Sequence, residues 1–112
     1  MRSFGYAIRG VRMMLALQAN ARIHALVTIV VVGLGFLLGL KSWEWCAVVG
    51  AIGLVWTAEG MNTAIEALTD LVSPGEHPLA GRAKDIAAGA VLCAAVAAAV
   101  IGLIVFLPRV IP

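Results

Sequence analysis

Residues 86–107 run for 22 positions without a charge. About 20 consecutive apolar residues let a helix cross the hydrocarbon core of a bilayer. The run therefore constrains the solvent as well as the fold: the chain is expected to fold in lipid. It is rich in alanine, which permits close packing against neighbouring helices. Pro108 and Pro112 are expected to close the helix. Composition agrees, with 62% hydrophobic and 12% charged residues among 112 and a mean hydropathy of +1.04, against about 25% charged in a typical soluble domain. A single membrane-embedded domain over 1–112 is expected. A net charge of +2 with no basic patch interleaved with aromatics argues against a nucleic-acid partner. Cys46 and Cys93 lie inside apolar runs and read as buried, inert thiols rather than as a disulfide or metal site.

Ahead of this span the chain divides into three further pieces. Over 2–22, Phe4, Ile8, Val11 and Leu15 recur at helical spacing while Arg2, Arg9 and Arg12 gather on another face. This predicts an amphipathic helix lying in the headgroup region. The first apolar run, about 25–40, lacks a signal-peptide layout and is expected to remain as a span. Its sixteen residues are short for the purpose, so flanking side chains must snorkel or the bilayer must thin. Gly35 and Gly39 form a small-xxx-small pair in it. Trp43 and Trp45 bracket Glu44 as an aromatic belt at a water interface, and a second span is expected over about 45–70. The polar stretch 73–85, punctuated by Pro74, Gly75, Pro78 and Gly81, marks the turn before the third span. Arg2, Arg9, Arg12, Arg22, Arg82 and Lys84 fall on one side, against Lys41 and Arg109 on the other. The positive-inside rule then puts the amino terminus and the second loop in the cytoplasm.

The second span carries the chemistry. Glu59, Asn62, Glu66 and Asp70 are spaced three, four and four residues apart. At about 100° per residue they share a helical stripe roughly 80° wide. A carboxylate near the centre of a bilayer costs on the order of 2.5–3.5 kcal/mol, so such a line is read as functional. With the helix starting at Trp45, Glu59 lies about 21 Å and Glu66 about 31 Å along it, against a core of about 30 Å. Glu59 is then within reach of a lipid headgroup hydroxyl, where a carboxylate can act as general base. Glu66 and Asp70 meet the cytoplasmic headgroup zone, where oxygen ligands suit magnesium and phosphates. Lys84 and Asp85 return to the same interface, and Lys84 can neutralise phosphate charge. His24 and His77 form no metal motif and read as interfacial hydrogen-bonding residues.

The runs EGMNTAIEALTD over 59–70 and HPLAGRAKDIAAGA over 77–90 closely resemble the prokaryotic diacylglycerol kinase and undecaprenol kinase family, whose signatures are E-x-x-N-[ST]-A-I-E-x-x-x-D and A-K-D. NARIH over 20–24 and F-x-Y-A over 4–7 fit as well, and the likeness covers nearly the whole chain. The resemblance implies an all-α membrane enzyme with a surface helix and three spans per subunit. It further implies a homotrimer with active sites shared between subunits, transferring the ATP γ-phosphate to a lipid primary alcohol with Mg2+. Carried over, Glu59 is the catalytic base, Glu66 binds metal and ATP, and Asn62 and Asp70 support that site. Tyr6, Gly75, Glu76, His77, Lys84 and Asp85 contact nucleotide, and Glu59, Arg22 and Ala88 face the lipid substrate. Gln18 stands where the family has a glutamate that joins in holding metal and ATP. A glutamine carbonyl can still ligate magnesium but brings no charge, so weaker metal binding is expected. Ser73-Pro74, His77-Pro78-Leu79 and the 20–24 run are closer to the undecaprenol kinase branch, with diacylglycerol the second choice. The alternatives are a small ion-coupled transporter subunit using Glu59 as an intramembrane ion site, a non-catalytic scaffold, and a lipid kinase impaired at Gln18.

Overall fold

The inward face of each long helix is written in steps of three and four residues. A computed structural model describes residues 2–111, in which α1 spans Arg2–Leu17, α2 Ala19–Leu38, α3 Ser42–Val72 and α4 Pro78–Val110. On α3 the buried residues are Glu44, Val48, Ala51, Val55 and Glu59. On α4 they are Ala87, Ala94 and Val105, with Lys84 half-buried ahead of them and Val91, Ala98 and Ile101 half-buried between them. These are the near-heptad seams of two antiparallel helices packed along their length. On α2 the same rhythm gives Ala21, His24, Thr28, Val31 and Gly35, all buried or half-buried. The α3–α4 hairpin is the closest packing in the molecule, and α1 and α2 lean on it more lightly.

The helix expected over 2–22 is interrupted. Gln18 is extended (φ −115°, ψ 117°) and starts α2. Arg22 secures the break by donating from Nη1 to the carbonyls of Leu15 (3.0 Å) and Ala16 (3.2 Å), two of the acceptors that the end of α1 leaves open. At the other end of α4, Pro108 does not close the helix, which continues to Val110. Pro112 lies outside the described residues.

The Gly35–Gly39 pair serves one chain's own turn. Gly39 takes φ +66° and ψ 59° as the left-handed cap of α2, a conformation that costs glycine little. Gly35 makes room for the Trp45 ring and Leu40. Beside them Leu40, Val48 and Val105 form a small buried cluster with Trp45 and Phe106 packed on it. A charged clasp closes this end. Arg109 donates Nε to Glu44 Oε2 (2.9 Å), Nη2 to Glu44 Oε1 and Nη1 to the Leu38 carbonyl (2.9 Å). Glu44 also accepts the Lys41 backbone N–H at 2.9 Å. The clasp ties the ends of α2, α3 and α4 together, ahead of the apolar part of α3. The Arg109 hydrogen bond and then the Lys41 N–H hold the Glu44 carboxyl down to about 2, from 4.5.

Most large apolar side chains face outward, among them Phe36 at 74% and Leu37 at 83% exposure. Contiguous apolar surface on that scale has no place in water. α2, α3 and α4 are each long and apolar enough to cross a membrane. Cys46 and Cys93, expected to be buried, are exposed on these outward faces; the inward positions of α3 and α4 are taken by Val48, Ala51, Val55, Ala87, Ala94 and Val105.

Candidate functional site

The polar stripe continues the buried face of α3. Val48, Ala51 and Val55 lead by steps of three and four into Glu59, Asn62, Glu66 and Asp70. Burial falls along it: Glu59 is 6% exposed, Asn62 and Glu66 are half-buried, and Asp70 is exposed. The same amphipathic rule that packs the helix thus presents oxygens at graded depths.

Glu59 is held from α2. His24 Nε2 lies 3.0 Å from Glu59 Oε1. One turn further along, Trp56 Nε1 donates to Thr28 Oγ1 at 3.1 Å, and Thr28 Oγ1 donates to the His24 carbonyl at 2.6 Å. The two helices are therefore pinned at two levels. Thr63 Oγ1 donates to the Glu59 carbonyl at 2.9 Å. The end of α1 reaches the same neighbourhood, with the Met14 sulfur 3.3 Å from where a Cβ on Gly60 would sit. From His24, Thr28 and Trp56 a groove of about 550 Å³ runs between α2, α3 and α4 toward Phe106. Every other lining residue is apolar, with Ala95, Ala98, Ala99 and Gly102 of α4 leaving the space.

A second hollow, about 680 Å³, lies at the α3–α4 turn and gathers Asp70, Gly75, Glu76, His77 and Lys84. Lys84 Nζ is 2.5 Å from Asp70 Oδ1. That hydrogen bond raises the lysine pKa, with the charges of Asp70 and Glu66 adding to it, so Lys84 stands as a cation at the rim. His77 caps α4: its Nδ1 accepts the Leu79 N–H at 3.1 Å, with Pro78 at the first helical position.

The other predicted site residues stand apart from these two places. Tyr6 is exposed on α1 with the Arg9 guanidinium 5.5 Å from its ring centroid. Gln18 occupies the α1–α2 break with no side-chain capping bond, Arg22 secures that break, and Asp85 and Ala88 are exposed on α4. Among the described residues no three His, Cys, Asp or Glu side chains cluster closely enough to hold a metal by themselves. Asn62 Oδ1, however, is buried with no hydrogen-bond partner, one turn from Glu66 on the same face. Magnesium typically takes one or two carboxylates and completes its shell with waters and phosphates. This donor set of oxygens alone fits that ion. His24 is the residue that sequence reasoning undervalued. Its signal was the i, i+4 pair with Thr28, two polar side chains on one face of an apolar helix.

The profile of the prokaryotic diacylglycerol kinase family matches residues 5–106. The chain belongs to the prokaryotic diacylglycerol kinase family. It is 42% identical to the undecaprenol kinase of Bacillus subtilis (strain 168) over 108 residues, covering 96% of this chain and 88% of that protein. It is also 42% identical over 107 residues to the diacylglycerol kinase of Synechocystis sp. (strain ATCC 27184 / PCC 6803 / Kazusa), covering 95% of this chain and 61% of that longer protein. The diacylglycerol kinase of Escherichia coli (strain K12) is 30% identical over 96 residues, 86% of this chain and 79% of that protein. This member of the family is a lipid kinase and a membrane protein.

Proposed function

We propose that this chain transfers the γ-phosphate of ATP to the primary hydroxyl of a membrane lipid, undecaprenol first and diacylglycerol second. The observation that carries the reading is Glu59, a carboxylate buried at 6% exposure beside the head of an apolar groove. A hydrocarbon chain in that groove presents its hydroxyl near His24 and Glu59. The groove runs about 12 Å along α3 from Val48 to Trp56, and its volume is that of an ordinary small-molecule site. The similarity to the undecaprenol kinase over most of both chains favours the isoprenoid alcohol.

Glu59 takes the hydroxyl proton as the lipid oxygen attacks the γ-phosphorus, and the bond from that phosphorus to the β–γ bridging oxygen breaks to release ADP. A general base of this kind contributes about 10²–10⁴-fold. Lys84, with Asp70 at its side, offers positive charge at the hollow where Gly75, Glu76 and His77 receive the nucleotide; Tyr6 and Asp85, which stand apart from it within one chain, would complete its contacts in the assembled trimer. Exposed ion pairs are weak, so phosphate oxygens can compete with Asp70 for the ammonium. Glu66 and Asn62 would hold Mg2+, with Gln18 contributing a neutral oxygen. The ion, when bound, neutralises phosphate charge and orients the transferred group. Arg22 and Ala88, outside the groove within one chain, would flank the lipid at a site completed by a neighbouring subunit.

The assembly in this reading is a homotrimer whose neighbours complete each site. Gly50, Gly53 and Thr57 are exposed together on the outward face of α3, where small residues let helices approach closely. α1 lies in the cytoplasmic headgroup layer, with Arg2, Arg9 and Arg12 toward water and the amino terminus and α3–α4 turn inside, and 1–112 acts as one kinase domain. Incubation of the purified chain with γ-labelled ATP and each lipid in matched micelles tests the function. Label is expected on undecaprenol at the higher rate; labelling of neither lipid contradicts the proposal.

A further inference from the structure

We propose that His24 is a positioning residue for Glu59. Its imidazole Nε2, 3.0 Å from carboxylate Oε1, anchors that oxygen so that Oε2 is the one presented to the lipid hydroxyl. The inference rests on the reading of Glu59 as general base and adds how that base is aimed.

A glutamate side chain has three torsions, and one buried in an apolar seam has few polar groups to fix the last of them. His24 supplies that anchor at 3.0 Å, with side-chain exposures of 27% for His24 and 8% for Glu59. The anchor is itself immobilised: the Thr28 hydroxyl holds the His24 carbonyl, and the Trp56 indole holds that hydroxyl from α3. Sliding α2 along α3 would break both levels at once. Among the described residues no other side chain or backbone N–H donates to the Glu59 carboxylate. Oε2 is therefore free for substrate, while Oε1 faces the imidazole. His24 also lines the head of the groove, so the group that fixes the base borders the path of the chain bearing the hydroxyl. A donor from Nε2 leaves Nδ1 as the acceptor nitrogen, and the role needs a hydrogen-bond donor, not a charge. Misplacing a reacting group by about 1 Å can cost on the order of 100-fold in rate.

The experiment uses the full chain in nanodiscs with Mg-ATP and undecaprenol. His24→Ala is expected to lower kcat by roughly 10- to 100-fold while the KM for ATP stays within about twofold. His24→Gln, whose amide nitrogen reaches about the same place as Nε2, is expected to recover kcat to within a few-fold of the parent. A purely structural role would not show this split between kcat and KM together with rescue by a neutral donor. Parental kcat in His24→Ala alongside an inactive Glu59→Gln overturns the proposal, as does a His24→Gln as slow as His24→Ala. Retained activity in Glu59→Gln would instead overturn the base assignment. The pairing is then judged by ¹⁵N NMR of the imidazole, which also decides the matter if His24→Ala does not assemble. An Nε2-protonated ring whose shift moves in Glu59→Gln supports the proposal, and one that does not move overturns it.

Discussion

Replacing Gly35 with alanine would place a methyl carbon 2.6 Å from Trp45 Cη2, 3.0 Å from Cζ2 and 3.1 Å from Leu40 Cδ1. The nearest of these falls about 0.8 Å short of an ordinary contact of 3.4 Å. The Trp45 indole cannot yield by rotating one terminal atom. It is rigid, and it stacks at a tilt on Phe36 with ring centroids 4.9 Å apart. Moving it disturbs the cluster of Leu40, Val48 and Val105. Overpacking of this kind costs about 1–3 kcal/mol. The helix itself gains up to about 1 kcal/mol when alanine replaces glycine, which would blur a single measurement. Gly33 removes the ambiguity, because it lies in the same helix and a Cβ there meets nothing within 4 Å. The helical gain is common to both substitutions and cancels in their difference. Thermal unfolding in one detergent should therefore find Gly35→Ala less stable than Gly33→Ala by about 1–3 kcal/mol. Equal stability for the two variants would refute the close α2–α3 approach at this turn.

The Glu44–Arg109 clasp predicts a pH dependence. The Glu44 carboxyl, free at 4.5, is held at about 2 in the folded chain, so its contribution is complete above about pH 4.5 and is lost as pH falls toward 2. The unfolding temperature of the parent should drop across that window, and Glu44→Gln should start lower and lose less there; identical profiles would contradict the clasp. Lys84→Ala should raise the KM for ATP roughly 10-fold, the order expected for losing a charged hydrogen bond, with an unchanged KM removing Lys84 from the nucleotide site. Gln18→Glu should lower the magnesium concentration giving half-maximal turnover, by several-fold. Equal magnesium dependence would show that position 18 carries no needed charge.

Much of the architecture was legible because lipid simplifies the code. Residues 86–107 have no charge to place, and α4 covers them. The line from Glu59 to Asp70 follows helical spacing, and the same spacing continues upstream through Val55, Ala51 and Val48. Local contacts that interrupt a pattern were harder to read. The break at Gln18 depends on Arg22 folding back onto the carbonyls of Leu15 and Ala16, which no periodicity reports. Pro108 sits within the last turn of α4 rather than ending it. Pairings between helices were illegible for a different reason. Glu44 with Arg109, 65 residues apart, and Trp56 with Thr28 require the relative register of separate helices, which a single amphipathic pattern leaves open. His24 belongs to this class: its neighbours in sequence suggest an interface residue, and only the α2–α3 packing puts it on Glu59.

The central claim is that the buried Glu59 carboxylate takes the proton of a lipid hydroxyl. Glu59→Gln keeps the size and hydrogen-bonding shape of the side chain and removes its capacity as a base. Transfer of labelled γ-phosphate from ATP to undecaprenol in nanodiscs should fall by about 10²–10⁴-fold, with ATP affinity measured in the same nanodiscs unchanged within about twofold. Parental rates of transfer by Glu59→Gln would contradict the account.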